Sequence, residues 1–486
     1  MVGETPNGMR PFREMPGPGH EFPWTAIGRQ VELDRDPIRF MQKIRQRYGN
    51  LVRYESVCGR EVFAFGPDNN RELHRNTDLF HSRPFVLKGP KFSSQTRLRY
   101  SIFQMNGPAY HEMRHQLLPP FQKTSVADYH TDVVRLIANA TAPWQADTER
   151  DIHQDMHLLV WNIVRQILYG MEENQASSEL HERLEHWMLQ TFSPWVRAFQ
   201  LNLSFMPYGK MLRKAEALEA HFLEIMQTRR DQGTPGRDAL SSMLKIRGED
   251  GKLLSTKAMV GHALTLFLVA YETTGNTLAW ALFLLAQHPR VLQALLDELA
   301  PLRGDFPEAN QLDKLPLLDN VVKETMRLLP AVPYNRRQVS KNGTLGEFQV
   351  PQGTRVMFSH YITHHLPEIY PEPERFLPER WETISPSPAE YLPFGAGVRT
   401  CLGASLAPFI IKLTLAHILP RWKLSLIPNS TLDRQLGISL GPKGGLPMHV
   451  ARQDRRLQAV PIRGNIHEMV DLRHCESDSP ALARAA

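Results

Sequence analysis

A mainly α fold with a small β region is the architecture this 486-residue sequence predicts. Three observations lead to it. From Thr124 to Leu299 apolar residues recur at the 3.6-residue helical period almost throughout. Alternating, turn-bounded runs that suit strands are confined to two short places, Val52–Phe65 and Leu345–Ser359. No internal repeat or low-complexity linker divides the chain.

In chain order, residues 1–26 are rich in Pro and Gly and read as an arm. Asp36–Tyr48 has a helical pattern. Val52–Phe65 is expected to fold as a small antiparallel sheet, with Cys58-Gly59 near its turn. The helical region that follows is interrupted by a loop around Gln232–Arg237. Within it a long helix is expected to start near Ser255, a good N-cap, and to stop near His288-Pro289. A further helix covers Leu317–Leu329 and stops at Pro330. Strands Leu345–Val350 and Thr354–Ser359 flank the turn Pro351-Gln352-Gly353. Residues 366–400 read as irregular, and Leu402–Leu419 as a last helix. Residues 453–486 turn Arg-rich and then Ser/Ala-rich, an extension expected to fray. The body of the protein is therefore 27–452.

Bulk properties narrow the function. Hydrophobic residues make up 42% and charged residues 22%, as in a soluble globular protein. The net charge of +6 permits nucleic acid, an anionic membrane or an acidic protein as partner. Scattered lysines and arginines, with no basic run, make nucleic acid the weakest of these. Three widely spaced cysteines, Cys58, Cys401 and Cys475, form neither a disulfide framework nor a CxxC metal site and suit a reducing cytoplasm. The N-terminus lacks the apolar core of a signal peptide. The longest apolar stretch, Met259–Leu285, is broken by His262, Glu272, Thr273, Thr274 and Asn276, so it reads as a buried helix and not a membrane span.

The strongest chemical signal is Phe394-Gly-Ala-Gly-Val-Arg399-Thr-Cys401-Leu-Gly403. Its glycines, Gly395 and Gly403 among them, permit tight turns and close approach to a flat ligand. Cys401 precedes a helix, and a helix N-terminus with a nearby cation favours thiolate. Alone, a cysteine is more often a small buried hydrophobe. The second signal is Val269-Ala270-Tyr271-Glu272-Thr273-Thr274, an acid and two alcohols within an apolar helix, costly there unless satisfied or used. The bland reading is a threonine pair bonded back to its own helix beside a surface Glu. The third is Glu324-Thr-Met-Arg327, whose i,i+3 spacing sets both charges on one face.

Together these motifs resemble the cytochrome P-450 family over roughly residues 30–450. The cysteine loop is similar to that family's FGxGxRxCxG at every fixed position. The resemblance implies a cytochrome P-450 fold over 27–452, with haem b (iron protoporphyrin IX) between the long central helix and the cysteine loop and Cys401 as iron ligand. A thiolate ligand pushes electron density onto iron and favours O–O cleavage. Phe394, Gly395, Gly403 and Ala270 would pack against the cofactor, and Arg399 would hold a haem carboxylate. Tyr110-His-Glu-Met-Arg114 aligns with the family's [WH]xxxR, so Tyr110 and Arg114 are further cofactor-binding candidates; a register starting at His111 and ending at His115 competes. Arg337 matches an arginine beyond the ExxR helix, with Arg336 as rival. Glu272 and Thr273 would carry protons for oxygen activation. Glu324 and Arg327 would be joined by Arg380 of Pro378-Glu-Arg-Trp, although Arg375 of Pro373-Glu-Arg-Phe is a near-duplicate.

Two departures stand out. Val269 and Ala270 replace the small residue and glycine usual in the oxygen groove. Pro408 interrupts the helix after Cys401 and should kink it or mark its true start.

The implied activity is monooxygenation, inserting one oxygen atom of O2 into a small apolar organic substrate of fatty-acid, terpenoid or polyketide type. Electrons would come from a separate ferredoxin or flavodoxin with its reductase, because the chain has neither a cluster-binding cysteine set nor room for a reductase domain. Peroxygenase or isomerase activity without O2, or a haem-binding sensor or carrier, are the alternatives. Substrate contacts are expected regionally, from Pro84–Tyr100, Phe192–Tyr208, Leu264–Ala270, Ala331–Pro333 and Ser439–Leu446.

Overall fold

The computed structural model describes residues 9–19, 23–56, 59–82, 89–173, 175–191, 193, 195–196, 199–233, 238–248, 251–302 and 306–473. Cys58, Cys475 and the loop at 234–237 therefore lie outside the described residues.

The long helix forms as its sequence predicts, over Thr256–Gln287. Ser255 caps it by accepting from Ala258 N, and Pro289 opens the next helix, Pro289–Leu299. Most of its residues from Met259 to Gln287 are buried. It runs through the middle of the protein and packs against helices Ile152–Ile163, Ser94–Arg99, Pro207–Asp231, Pro316–Leu328 and Leu406–Ile418. A helix apolar on all sides is stable in water only when neighbours cover it, which accounts for its central place. Even so, no helix among the described residues is long and apolar enough to cross a membrane.

The β region is larger than the sequence suggests. Strands β1 (Leu51–Ser56) and β2 (Gly59–Ala64) pair antiparallel as expected. They continue into a five-stranded sheet ordered β1-β2-β8-β5-β3, with β3 at Phe80–Ser82, β5 at Tyr334–Val339 and β8 at Arg355–Ser359. The expected single strand Leu345–Val350 is instead a hairpin, β6 (Gly343–Leu345) with β7 (Phe348–Val350), because Gly346 turns the chain at φ +56°. Strand β4 (Thr148–Asp151) joins β9 (Trp422–Leu426) and β12 (Pro447–Arg452) in a second sheet, and β10 (Asp433–Leu436) pairs with β11 (Leu440–Lys443).

Three further corrections concern boundaries. Pro23–Arg35 is helical, overlapping the end of the expected arm. The expected helix Leu402–Leu419 opens with a short 3-10 turn, Leu402–Ala404, and its α-helix covers Leu406–Ile418. Pro408 thus sits in the first α-helical turn, where its missing N–H has no intrahelical partner to lose, and it marks the start. Residues 453–473 do not fray. Ile466, Met469 and Val470 are fully buried, Leu432 N bonds Arg463 O at 2.8 Å, and Arg434 Nη2 reaches Glu468 at 3.2 Å. The apolar triplet, spaced three and one apart, was the signal that its polar neighbours masked. Residues 474–486 lie outside the described residues.

The ExxR motif is resolved by burial. Glu324 and Arg327 have no exposed surface and form a two-bond pair at 2.8 and 2.9 Å. Arg380 Nε adds 2.9 Å to Glu324 Oε1, and Trp381 Nε1 adds 3.0 Å to Oε2. Arg375 is turned outward to Glu372, and only its main-chain carbonyl joins the group. The network ties the Pro316–Leu328 helix to residues 364–381, the segment leading into the cysteine loop.

Candidate active site: a cavity between the long helix and the cysteine loop

A cavity of about 1780 Å³ runs from between these two elements out to a mouth lined by parts of residues 30–43 and 434–438. That exceeds the roughly 300–1,000 Å³ of a typical small-molecule pocket, leaving room for a flat cofactor and a substrate together. From the loop, Phe394, Gly395, Arg399, Cys401 and Gly403 line it. From the long helix come Leu266, Val269, Ala270, Thr273, Thr274 and Thr277. Ile102, Phe103, Ala331, Val332 and Pro333 add apolar wall.

The loop is held by its own backbone. Cys401 N donates to Phe394 O at 2.9 Å, and Gly395 N to Leu392 O at 3.1 Å. Gly395 and Gly397 adopt φ of +69° and +64°, which L side chains rarely take. A Cβ on Gly397 would also press on His74 O at 3.0 Å. The thiol of Cys401 is free and accessible where it meets the cavity. Protein packed round its other sides pushes its pKa up, against the Gly403 N–H and the Arg114 charge. The expected thiolate-favouring pulls are therefore present but outweighed by burial, and the nearby cation is Arg114. Arg399 lies instead over the Tyr110 ring, 4.0 Å from its centroid.

Arginines dominate the cavity's charge. Arg114, Arg337 and Arg399 all line it, and none has a carboxylate partner among the described residues. Arg399 Nη2 donates to Met105 O at 2.6 Å and Asn106 Oδ1 at 2.7 Å, leaving Nε buried without an acceptor. Arg337 Nη1 reaches only Arg336 O at 3.1 Å, and its Nε is likewise buried and unbonded. Burial and the neighbouring Arg399 push Arg337 down to about 10. Burying cations unpaired is expensive, so the arrangement calls for an anion. The Tyr110 hydroxyl donates to Val398 O at 3.0 Å and accepts from Arg114 Nη1 at 3.4 Å. Tyr110 and Arg114 face the cavity whereas His111 and His115 are exposed. Arg336 and Arg337 both border it, but Arg337 is buried and Arg336 exposed.

Opposite the loop, the acid–alcohol pair is split. Thr273 lines the cavity, with its hydroxyl donating to Val269 O at 2.8 Å. Glu272, about 100° round the helix, does not line it. Its Oε2 lies 3.8 Å from His157 Nδ1 on the far side. Burial and nearby Glu185 push Glu272 up to about 7, against His153 and a hydrogen bond from Ser439.

The regional substrate expectations fare unevenly. Leu266, Val269, Ala270 and Ala331–Pro333 line the cavity. None of the described residues of Pro84–Tyr100 or Phe192–Tyr208 does; Val196 and Tyr208 pack in a separate cluster with Met211 and Leu212. Of Ser439–Leu446 only Lys443 borders it. Residues 83–88, 192, 194 and 197–198 lie outside the described residues. Ile102 and Phe103, unremarkable in sequence, supply the wall expected from Pro84–Tyr100.

Residues 16–446 match the family described as Cytochrome P450. Cyclooctat-9-en-7-ol 5-monooxygenase of Streptomyces melanosporofaciens is 29% identical, over 85% of this chain and 92% of its own. Abscisic acid 8'-hydroxylase 1 of Arabidopsis thaliana is 23% identical over 90% and 92%. Among solved structures, a cytochrome P450DA heme domain matches with TM-score 0.78 at 21% identity, over 92% of this chain and 98% of its own. A retinoic acid-bound cyanobacterial CYP120A1 matches with TM-score 0.76 at 24% identity, over 87% and 96%. The chain belongs to the cytochrome P450 family. It is thereby an oxidoreductase of the haem-thiolate monooxygenase class, with haem b as cofactor, and the unpaired arginines and inward-facing thiol of its cavity suit a flat dianionic iron porphyrin.

Proposed function

We propose that this P450 inserts one oxygen atom of O2 into a small apolar organic substrate of fatty-acid, terpenoid or polyketide type. The observation that carries this is the cavity: Cys401 and Thr273 border one space, and Ile102, Phe103, Leu266, Val269, Ala270 and Ala331–Pro333 give it an apolar stretch of wall. The relatives named for cyclooctat-9-en-7-ol and abscisic acid, and the structure holding retinoic acid, support a small organic substrate. Electrons come from a separate ferredoxin or flavodoxin and its reductase, in the cytoplasm. The net charge of +6 favours an acidic protein of this kind.

In this reading Cys401 holds the iron as thiolate. When bound, haem b supplies the activation of O2. Arg114, Arg337 and Arg399 hold its carboxylates and Tyr110 braces two of them, while Phe394, Gly395, Gly403 and Ala270 shape the slot. Thr273 spends its proton on Val269 O, so its oxygen lone pairs are free to accept a hydrogen bond within the cavity. Glu272, poised near neutrality by burial, holds the proton behind it. Apolar walls exclude bulk water and so protect the proton supply from leakage.

Three results are expected. Thr273→Ala should cut product formed per electron consumed by roughly tenfold or more, the lower end of general acid–base effects or just below it, while electron consumption continues as peroxide. Intact coupling would remove Thr273 from the pathway. Arg337→Leu should act with opposite signs on the two forms. Without haem the protein should gain stability by shedding a buried unpaired cation. With haem, loss of a charged hydrogen bond worth about 1.5–3 kcal/mol should speed haem transfer to an apo-globin on the order of tenfold or more. Equal transfer rates would take Arg337 out of the carboxylate site. A panel of fatty acids, terpenoids and polyketides, read by the haem spin-state shift each induces, should return binders among apolar compounds; binding confined to polar ones would overturn the substrate class.

A further inference from the structure

Behind the long helix lies a polar cluster in otherwise apolar surroundings, and the cavity does not account for it. Asn276, one turn beyond Glu272, accepts at Oδ1 from His153 Nε2 at 2.7 Å and His157 Nε2 at 3.0 Å. Its Nδ2 donates to Ser439 Oγ at 2.6 Å, and Ser439 in turn donates to Glu272. The site is built for close approach. A Cβ on Gly275 would lie 2.7 Å from His157, and one on Gly441 would lie 2.5 Å from Asn276 Oδ1.

The hydrogen bonds determine the His157 tautomer. An amide oxygen only accepts, so Nε2 of His157 carries the proton. Nδ1 of the neutral ring is then a lone pair, and it is the atom 3.8 Å from Glu272 Oε2. Both side chains keep a little exposure, 18% for His157 and 16% for Glu272, so the pair is within reach of solvent.

We propose that His157 is a positioning residue for Glu272, reloading its carboxylate with protons from solvent, and that Asn276 holds the ring in the tautomer this requires. The proposal rests on the monooxygenase reading and names the part of the protein that feeds it. In the step, Nδ1 takes a proton from solvent hydronium, which leaves as water, to give the imidazolium. Nδ1–H then passes that proton to Oε2, leaving a neutral imidazole and a carboxylic acid.

The charges facing the pair favour this direction. His157 is held below its usual range, first by burial and then by His181, against the Asn276 hydrogen bond, Glu185 and Asp151. Glu272 is raised to about 7, first by burial and then by Glu185, against His153 and Ser439. Glu185 is itself engaged at 3.2 Å by His181. The imidazolium is thus the stronger acid, and transfer to the carboxylate runs downhill.

The test is His157→Gln in the full-length holoenzyme, with an unchanged reduced-CO spectrum as proof that the haem site is intact. Compared at one pH near 7, the wild type should keep more of its coupling than the variant. The variant, loading Glu272 without the imidazole relay, should lose coupling several-fold and show a larger solvent deuterium isotope effect. A second readout needs no turnover. The infrared carboxyl band absent from Glu272→Gln should recover more slowly after a pH jump in His157→Gln, while its midpoint stays near 7. Unchanged coupling, isotope effect and recovery in His157→Gln would overturn the proposal. A midpoint displaced with no change in recovery rate would also overturn it, as His157 would then act only through charge. Thr273→Ala in the same assays separates the two readings, because its uncoupling stands whether or not His157 matters.

Discussion

Cys401→Ala is expected to abolish the red-shifted Soret band of the reduced, CO-bound protein and to reduce monooxygenase turnover to background. The band reports thiolate ligation, and among the described residues Cys401 is the cysteine that lines the cavity. Of the other two, Cys58 and Cys475, neither belongs to the loop that shapes it. The backbone should tolerate the change. The loop is organised by the bond from Cys401 N to Phe394 O and by the glycine turns at 395 and 397, none of which needs the thiol. Haem should therefore still associate through Arg114, Arg337 and Arg399, but with a spectrum of other ligation. A thiolate-type band persisting in Cys401→Ala would move the ligand elsewhere and undo the assignment of the site.

The largest effect on stability is expected from Glu324→Gln. Glu324 receives Arg327, Arg380, Trp381 Nε1 and Leu377 N, all within 3.1 Å. Removing its charge leaves two guanidiniums in the interior without a counter-ion. Breaking a buried pair in this way costs about 3–5 kcal/mol, a large share of the roughly 5–15 kcal/mol that keeps a protein folded. Urea denaturation should show that loss, together with faster haem release, because the network braces the chain leading into the cysteine loop. Arg375→Ala is the matched comparison. Its side chain pairs with Glu372 at the surface, where a salt bridge contributes about 0–1 kcal/mol. Equal destabilisation by the two substitutions would mean that the buried network is not what secures this region.

Local chemistry was readable from sequence wherever residue types stood at diagnostic spacing. Ser255, Pro289 and Pro330 bound their helices because capping and the lack of a proline N–H are local effects. The cysteine loop is similarly self-contained, since its glycines and the Phe394–Cys401 bond lie within ten residues. The apolar triplet near 466–470 was legible in principle but hidden among charged neighbours, which is why the tail looked frayed.

What sequence could not supply was direction and distance. Arg380 and Arg375 sit in nearly identical tetrapeptides, and only burial separates the one that reaches Glu324. Arg337 and Arg336 are adjacent and both border the cavity, yet strand pleating alone buries the one and leaves the other exposed. Glu272 and Thr273 are also adjacent, yet helical rotation of about 100° turns only Thr273 into the cavity. His153 and His157 are more than 110 positions from Glu272 in the chain, and no local pattern links them to it. By itself, then, the sequence determined the family, the mainly α fold and the cysteine loop, because each is written in short-range residue patterns. Tertiary packing decided which arginines are buried at the cavity and what stands behind Glu272, because charge and proton chemistry depend on the few ångströms between side chains that chain folding alone brings together.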